Sequence, residues 1–263
     1  MASIRVERNA GLVTITLDRP EKKNAIGAEA WVELDRALAE VAVEAGDRAL
    51  IVTGAGGNFS AGADLTGGKP GMGLTGRPLL PMVDEMRVVG EIVLRLARMP
   101  KPTLAKVDGV CIGVAIGLAL ACDLILASDR ARFSEIFAKR GLTLDGGNSW
   151  LLPRRVGLHK AKELAFFGDV IDAKEAESIG LVNKVVSAGE LDAVAEQWGR
   201  RLAEGPTLAL GLTKRLLDAS SSVTLPQALE DEARCQHITY ASQDIREGMK
   251  AFMERREPRF TGR

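Results

Sequence analysis

Three short apolar runs, residues 49–53, 103–107 and 123–127, are separated by stretches in which apolar residues recur at helical spacing. Strands divided by helices cannot pair through tight hairpins. Each must return by a crossover, so the pattern predicts an α/β fold built on a parallel sheet. Ahead of these runs, residues 4–8 and 12–17 alternate apolar and polar around Asn9-Ala10-Gly11, which predicts an antiparallel hairpin at the start. Trp31, Leu34, Leu38, Val41 and Ala45 mark a helix ending at Gly46; further helices are expected over 82–98 and 113–121. From about residue 187 the pattern becomes helical only, over 189–204, 206–219, 225–241 and 244–254, with Pro206 and Pro226 at first turns. The chain therefore divides into a core over 1–188 and a C-terminal helical region over 189–263. Between Thr66 and Pro81 lie five glycines and three prolines, a composition expected of a lid-like loop.

Composition bounds the partners. Thirty-five basic residues balance thirty-five acidic ones, so no long-range field draws nucleic acid or an anionic membrane, and an anionic ligand must be recognised locally. The uncharged run 109–122 has 14 residues, below the roughly 20 needed to span a bilayer, so membrane insertion is not expected. Three cysteines without CxxC spacing, and an opening Met1-Ala2-Ser3-Ile4-Arg5 without an apolar core, predict a cytoplasmic protein with free thiols.

Several familiar motifs fail. Gly54-Ala55-Gly56-Gly57 follows a strand, but Phe59 stands where GxGxxG needs its third glycine. His159 and His237 have no partners at metal-ligand spacing, so no metal is expected. Gly147-Asn148-Ser149-Trp150-Leu151 lacks the second glycine of a nucleophile elbow. Two segments are more informative. Residues 58–65, after the strand at 49–53, read either as a plain tight turn or as a place where a ligand approaches the backbone. Residues 108–117 join a strand end to a helix start through small residues, leaving N–H groups near the helix's positive end. Two such donors converging on one carbonyl oxygen would form an oxyanion hole, where each is typically worth about 3–4 kcal/mol.

Lys22-Lys23-Asn24-Ala25-Ile26, residues 59–65, Pro100-Lys101-Pro102 leading into Asp108-Gly109, Cys122-Asp123-Leu124-Ile125 and residues 181–186 together resemble the successive signatures of the enoyl-CoA hydratase/isomerase (crotonase) superfamily. The resemblance spans nearly the whole chain. It implies a crotonase-type ββα spiral whose C-terminal helices build a homotrimer or a hexamer. The N–H groups of Ala63 and Val114 would hold a thioester oxygen, with Lys22, Lys23, Ala25, Ala61, Gly62, Asp64 and Leu65 along the groove for CoA. Phe252 would lie in the closing helix, where a neighbouring subunit completes that groove. CoA would be part of the substrate, with no separate cofactor.

The departures bear on the chemistry. Hydratases of this family use two glutamates; the matching positions here are Gly117 and Phe137. Glu135 lies two residues from the second position, a spacing expected to point it elsewhere on a helix or turn. Val114 replaces the family's usual glycine. Asp145, in a stretch similar to that of the family's isomerases, reads either as the proton-shuttling acid or as a cap for the helix starting near Gly147. The resemblance favours the first. The expected activity is a double-bond shift in an enoyl-CoA; the alternatives are hydration, other enolate chemistry, and non-catalytic acyl-CoA binding.

Overall fold

The computed structural model describes residues 3–66, 73 and 81–263; most of the stretch expected to form a lid-like loop lies outside them. Strands β1 (Ile4–Asn9) and β2 (Leu12–Leu17) pair antiparallel, Asn9 opposite Leu12. Ala10 and Gly11 both carry positive φ, 47° and 83°, the turn geometry that matches strand twist. Helix α1 (Ala28–Val43) leads to β3 (Ala49–Gly54), then α2 (Met82–Ala97) to β4 (Thr103–Val107). A short β5 (Val110–Ile112) precedes α3 (Val114–Ala121), β6 (Leu124–Ser128) and β7 (Arg132–Ser134). Next come α4 (Asn148–Val156), α5 (Leu158–Phe167), β8 (Ile171–Asp172), α6 (Ala173–Ser178) and β9 (Lys184–Val186). The chain ends in α7 (Leu191–Ala203), α8 (Thr207–Ala219), α9 (Leu225–Tyr240) and α10 (Gln243–Glu254).

Six strands form one sheet in the order β1-β2-β3-β4-β6-β9, parallel after the first pair; β5-β7-β8 form a second, small sheet that the sequence reading did not resolve. Its strands have two or three residues, too short for a period to show. Alternate residues of the large sheet face two cores. Leu50 and Val52 join α1, α2 and α3 on one side, whereas Ala49 and Ile51 join Leu191, Ala195 and Ala203 of α7 on the other. The helix at 191–203 therefore packs on the sheet and shares in its second core.

Several motif residues bind elements together. Lys101 Nζ donates to Val41 O and Glu44 O, both at 2.5 Å, closing the end of α1. Asp123 accepts from the Thr103 N–H at 2.7 Å and from Lys214 Nζ. Asn183 Oδ1 accepts from Ile125 N at 2.7 Å. The C-terminal tail folds back: Asp244 accepts from the N–H of Thr261 and Gly262, and Arg48 donates to Phe260 O at 2.8 Å.

Candidate active site

The two backbone segments singled out in the sequence lie side by side. Ser60 and Cys111 form a parallel bridge, with Ser60 N donating to Val110 O at 2.9 Å and Ile112 N to Ser60 O at 3.1 Å. Ala63 and Val114 each stand three residues beyond that bridge. Neither N–H has an acceptor among the described residues. Ala63 is flanked by Gly62, whose carbonyl accepts from Ile26 N, and by Asp64, whose N–H donates to Ile26 O, so its own N–H points away from that pairing. Val114 is the first residue of α3, where no intrahelical acceptor exists.

Gly62 is required twice over. Its φ is +92°, and a Cβ there would sit 2.7 Å from Ile112 O. Around it the groove residues are tied together: Ala61 N donates to Lys23 O at 2.9 Å, and Arg19 Nη1 donates to Ala25 O at 3.0 Å. Asn24, fully buried, spans the strand ends by donating to Ala55 O and Asn58 O at 2.8 and 2.7 Å. Asp64 Oδ2 accepts from Arg19 and from Lys22 at 3.1 and 3.0 Å, while Oδ1 accepts from Thr66. Burial alone would raise its carboxyl, but Lys22, Thr66 and Arg19 outweigh that and hold it far below the usual carboxylate range. Both Asp64 oxygens are thus committed within the chain, to Arg19, Lys22 and Thr66. Leu65 is exposed beside it. Phe252 is 80% exposed on α10, which packs against α9, and among the described residues no hydrogen bond or ion pair ties α10 to these groove segments. Arg19 was missed in the sequence; its position before Pro20 gives no sign that it returns to Asp64.

Asp145 does not cap α4. The cap position belongs to Gly147, and no side chain accepts a hydrogen bond there. Its carboxyl is half-buried, with Oδ1 lacking any partner among the described residues, and burial pushes its pKa up to about 6. The loop carrying it lies over α3: a Cβ on Gly117 would meet Gly146 O at 2.1 Å, and one on Gly146 would meet Val114 Cγ2 at 2.7 Å. The place of the first family glutamate is therefore filled by backbone. Phe137, at the second, lies with its ring edge 3.7 Å from a Cβ on Gly113. Val114 fits because its neighbour is Gly146.

Glu135 does not stand in for Phe137 but lies in an apolar pocket with Ile116, Phe133 and Leu152. It is 2% exposed, within Coulombic range of Asp145, and its pKa is raised to about 8 by burial and then by the Asp145 charge. Its placement follows from β7: residue 135 caps the turn of 136–140 with φ −79° and ψ 61°, so helical spacing does not apply to it. A cleft of about 1110 Å³ between α2, α4 and α8 includes Gly147 and Trp150 but none of residues 61–65, Val114 or Asp145, so it is not this site. Among the described residues no cluster of three or more His, Cys, Asp or Glu could hold a metal, and no helix is long and apolar enough to cross a membrane. All three cysteines are free and buried.

A crossover sheet, a second small sheet at its strand ends and two adjacent unpaired N–H groups define the architecture, and the comparisons agree with it. The chain belongs to the enoyl-CoA hydratase/isomerase family, the crotonase superfamily of enzymes, whose profile matches residues 7–263. Among its relatives, the 1,2-epoxyphenylacetyl-CoA isomerase of Escherichia coli is 37% identical over 260 residues, 96% of each chain. The crotonyl-CoA hydratase of Syntrophomonas wolfei is 34% identical over 98% of this chain and 97% of its own. The crystal structure of an enoyl-CoA hydratase from Bacillus anthracis superposes with a TM-score of 0.90 at 28% identity, covering 99% of this chain and all of that one (100%).

Proposed function

We propose that this enzyme shifts a carbon–carbon double bond in an enoyl-CoA thioester through an enolate-like intermediate. The observation that carries the reading is Asp145: a half-buried carboxyl with an unpartnered oxygen and a pKa of about 6, on the loop packed over α3, whose first N–H is unpaired. A base of that strength can take a proton and return it near neutral pH. The N–H groups of Ala63 and Val114 would hold the thioester oxygen as it gains charge, each contributing about 3–4 kcal/mol to the transition state. Asp145 would remove a proton from the α or γ carbon, the electron pair would delocalise onto that oxygen as a dienolate, and Asp145, its proton exchanging with solvent meanwhile, would return a proton at the other carbon. Nothing in this sequence calls on a metal or redox cofactor, and CoA belongs to the substrate.

The crowding of Gly117 against Gly146 supports isomerisation over hydration, since a water held by two carboxylates needs a side chain where backbone now lies. The isomerase name of the E. coli relative agrees with it. Lys22, held by Asp64, would contact the CoA moiety. Assembly as a trimer or dimer of trimers, with Phe252 reaching a neighbour's groove, accords with the exposed apolar residues of α9 and α10. The balanced charge and three free thiols suit a cytoplasmic setting.

The test is a turnover screen of 2-enoyl and 3-enoyl CoAs in heavy water. Interconversion with deuterium uptake at the α carbon is expected in the wild type, reduced about a hundredfold or more in Asp145→Asn. Ready hydration of 2-enoyl-CoA would replace isomerisation with the hydratase reading. Binding without turnover of any member would make this an acyl-CoA-binding protein.

A further inference from the structure

Behind the site sits an acid that the proposed reaction does not use. Glu135 follows β7, whose last residue Ser134 accepts from Gly113 N at 3.0 Å; Asn148, three residues after Asp145, donates to Gly113 O at 3.3 Å. Gly113 immediately precedes the Val114 donor, so Glu135 and Asp145 approach the start of α3 from two sides. Neither Glu135 oxygen has a hydrogen-bond partner among the described residues. The cavity beside it, about 10 Å³, is at the lower limit for one water, and its other walls are Ile116, Phe133, Leu152, Leu164, Ile171 and Leu181, with Ser134 as the one polar neighbour. The titratable groups that bear on it are Asp145, from the loop before α4, and the buried thiol of Cys111 on β5, itself pushed well up by burial and by Glu135. The walls from α3, α4, α5 and β8 carry no charge.

We propose that Glu135 is a positioning residue for the proton transfer: its buried, unpartnered carboxyl beneath the start of α3 sets the charge against which Asp145 works. An isolated ionised carboxylate in such a place is far costlier than a neutral acid, so near neutral pH the two acids carry one negative charge, on Asp145. That leaves Asp145 as base and leaves the developing enolate without a second anion behind it. When Glu135 ionises, at about pH 8, a second negative charge opposes enolate formation at the same helix start, and turnover falls.

The inference rests on Asp145 being the base, and the experiment separates the two. Protein labelled with ¹³C at the glutamate carboxyl carbon is titrated by NMR as wild type, Glu135→Gln and Asp145→Asn, and pH–rate profiles are recorded for the wild type and Glu135→Gln. One labelled carboxyl, missing in Glu135→Gln, is expected to stay protonated at pH 7 and to titrate at lower pH in Asp145→Asn. The wild-type rate is expected to fall above about pH 8, and this alkaline limb to vanish or move up by about one pH unit or more in Glu135→Gln. A Glu135 carboxyl ionised at pH 7, a midpoint unmoved in Asp145→Asn, or an alkaline limb shared by wild type and Glu135→Gln overturns the proposal. Undiminished turnover in Asp145→Asn overturns the base assignment instead, and the NMR coupling then still decides whether the two acids form one charge-sharing pair.

Discussion

Two helical regions of this chain treat their apolar residues in opposite ways. All eight residues of α3 are buried, whereas in α8 only Thr207 is, and Leu217, Leu225, Leu229, Tyr240, Met249, Phe252 and Met253 stand exposed from α8 to α10. The first region is finished within one chain. It has no room for polar side chains, so what it offers a ligand is backbone: the N–H of Val114 at its positive end. The second is held to the core by Arg48 on Phe260, with Asp244 of α10 folding the tail back, and leaves much of its apolar surface exposed. The site is thus expected to be sensitive to any added atom, and the tail to changes that alter assembly.

The largest effect is expected at Gly62. Gly62→Val forces a β-branched residue to a φ of +92° and against Ile112 O, at a cost of about 2 kcal/mol or more, and should abolish acyl-CoA binding measured by calorimetry. Wild-type affinity in a folded variant would move the groove elsewhere. Next, Asp145→Asn should leave the melting temperature unchanged or raised while turnover collapses, because it removes a charge lacking a full set of partners. A large loss of stability would give Asp145 a structural role instead. Third, charge placed on the tail, as in Leu225→Asp with Leu229→Asp, should lower the mass seen by light scattering from an oligomer to a monomer and shift the core's melting little. A wild-type monomer at micromolar concentration would end the contrast between finished and unfinished regions.

A fourth effect concerns pH. Asp145 and Glu135 are raised above ordinary carboxylate values, so the native state binds more protons than the unfolded one between about pH 4 and 8, and their contribution to stability is lost as pH rises through that window. Asp64 has the opposite sign, its stabilising contribution being lost only in acid. Thermal unfolding from pH 5 to 9 should decline less steeply in Glu135→Gln than in the wild type, by at most about 1.4 kcal/mol for each pKa unit of the shift. Parallel curves would show that Glu135 is not held neutral by the fold.

Much of this architecture is legible in local pattern. The crossover sheet follows from apolar runs separated by helical periods, and the hairpin from Asn9-Ala10-Gly11. The adjacency of residues 58–65 and 108–117 follows from small residues at successive strand ends, because neighbouring parallel strands bring their carboxyl ends to one edge. Those are short-range signals, fixed by side-chain size and spacing. The second sheet, the return of Arg19 to Asp64 and the place of α7 in the core gave no such signal. They depend on contacts between residues far apart in the chain, and two- or three-residue strands carry no period.

The sequence by itself determined the family, the fold and the identity of the acid at residue 145, since each is a matter of which residues occur in which order. Only the tertiary structure decided that Asp145 is no helix cap, that Gly117 is glycine because Gly146 O lies where its side chain would begin, and that Glu135 is buried within Coulombic range of Asp145. Charge and reactivity depend on what surrounds a group rather than on its neighbours in sequence, and burial of a carboxyl without partners is a property of the packed molecule alone.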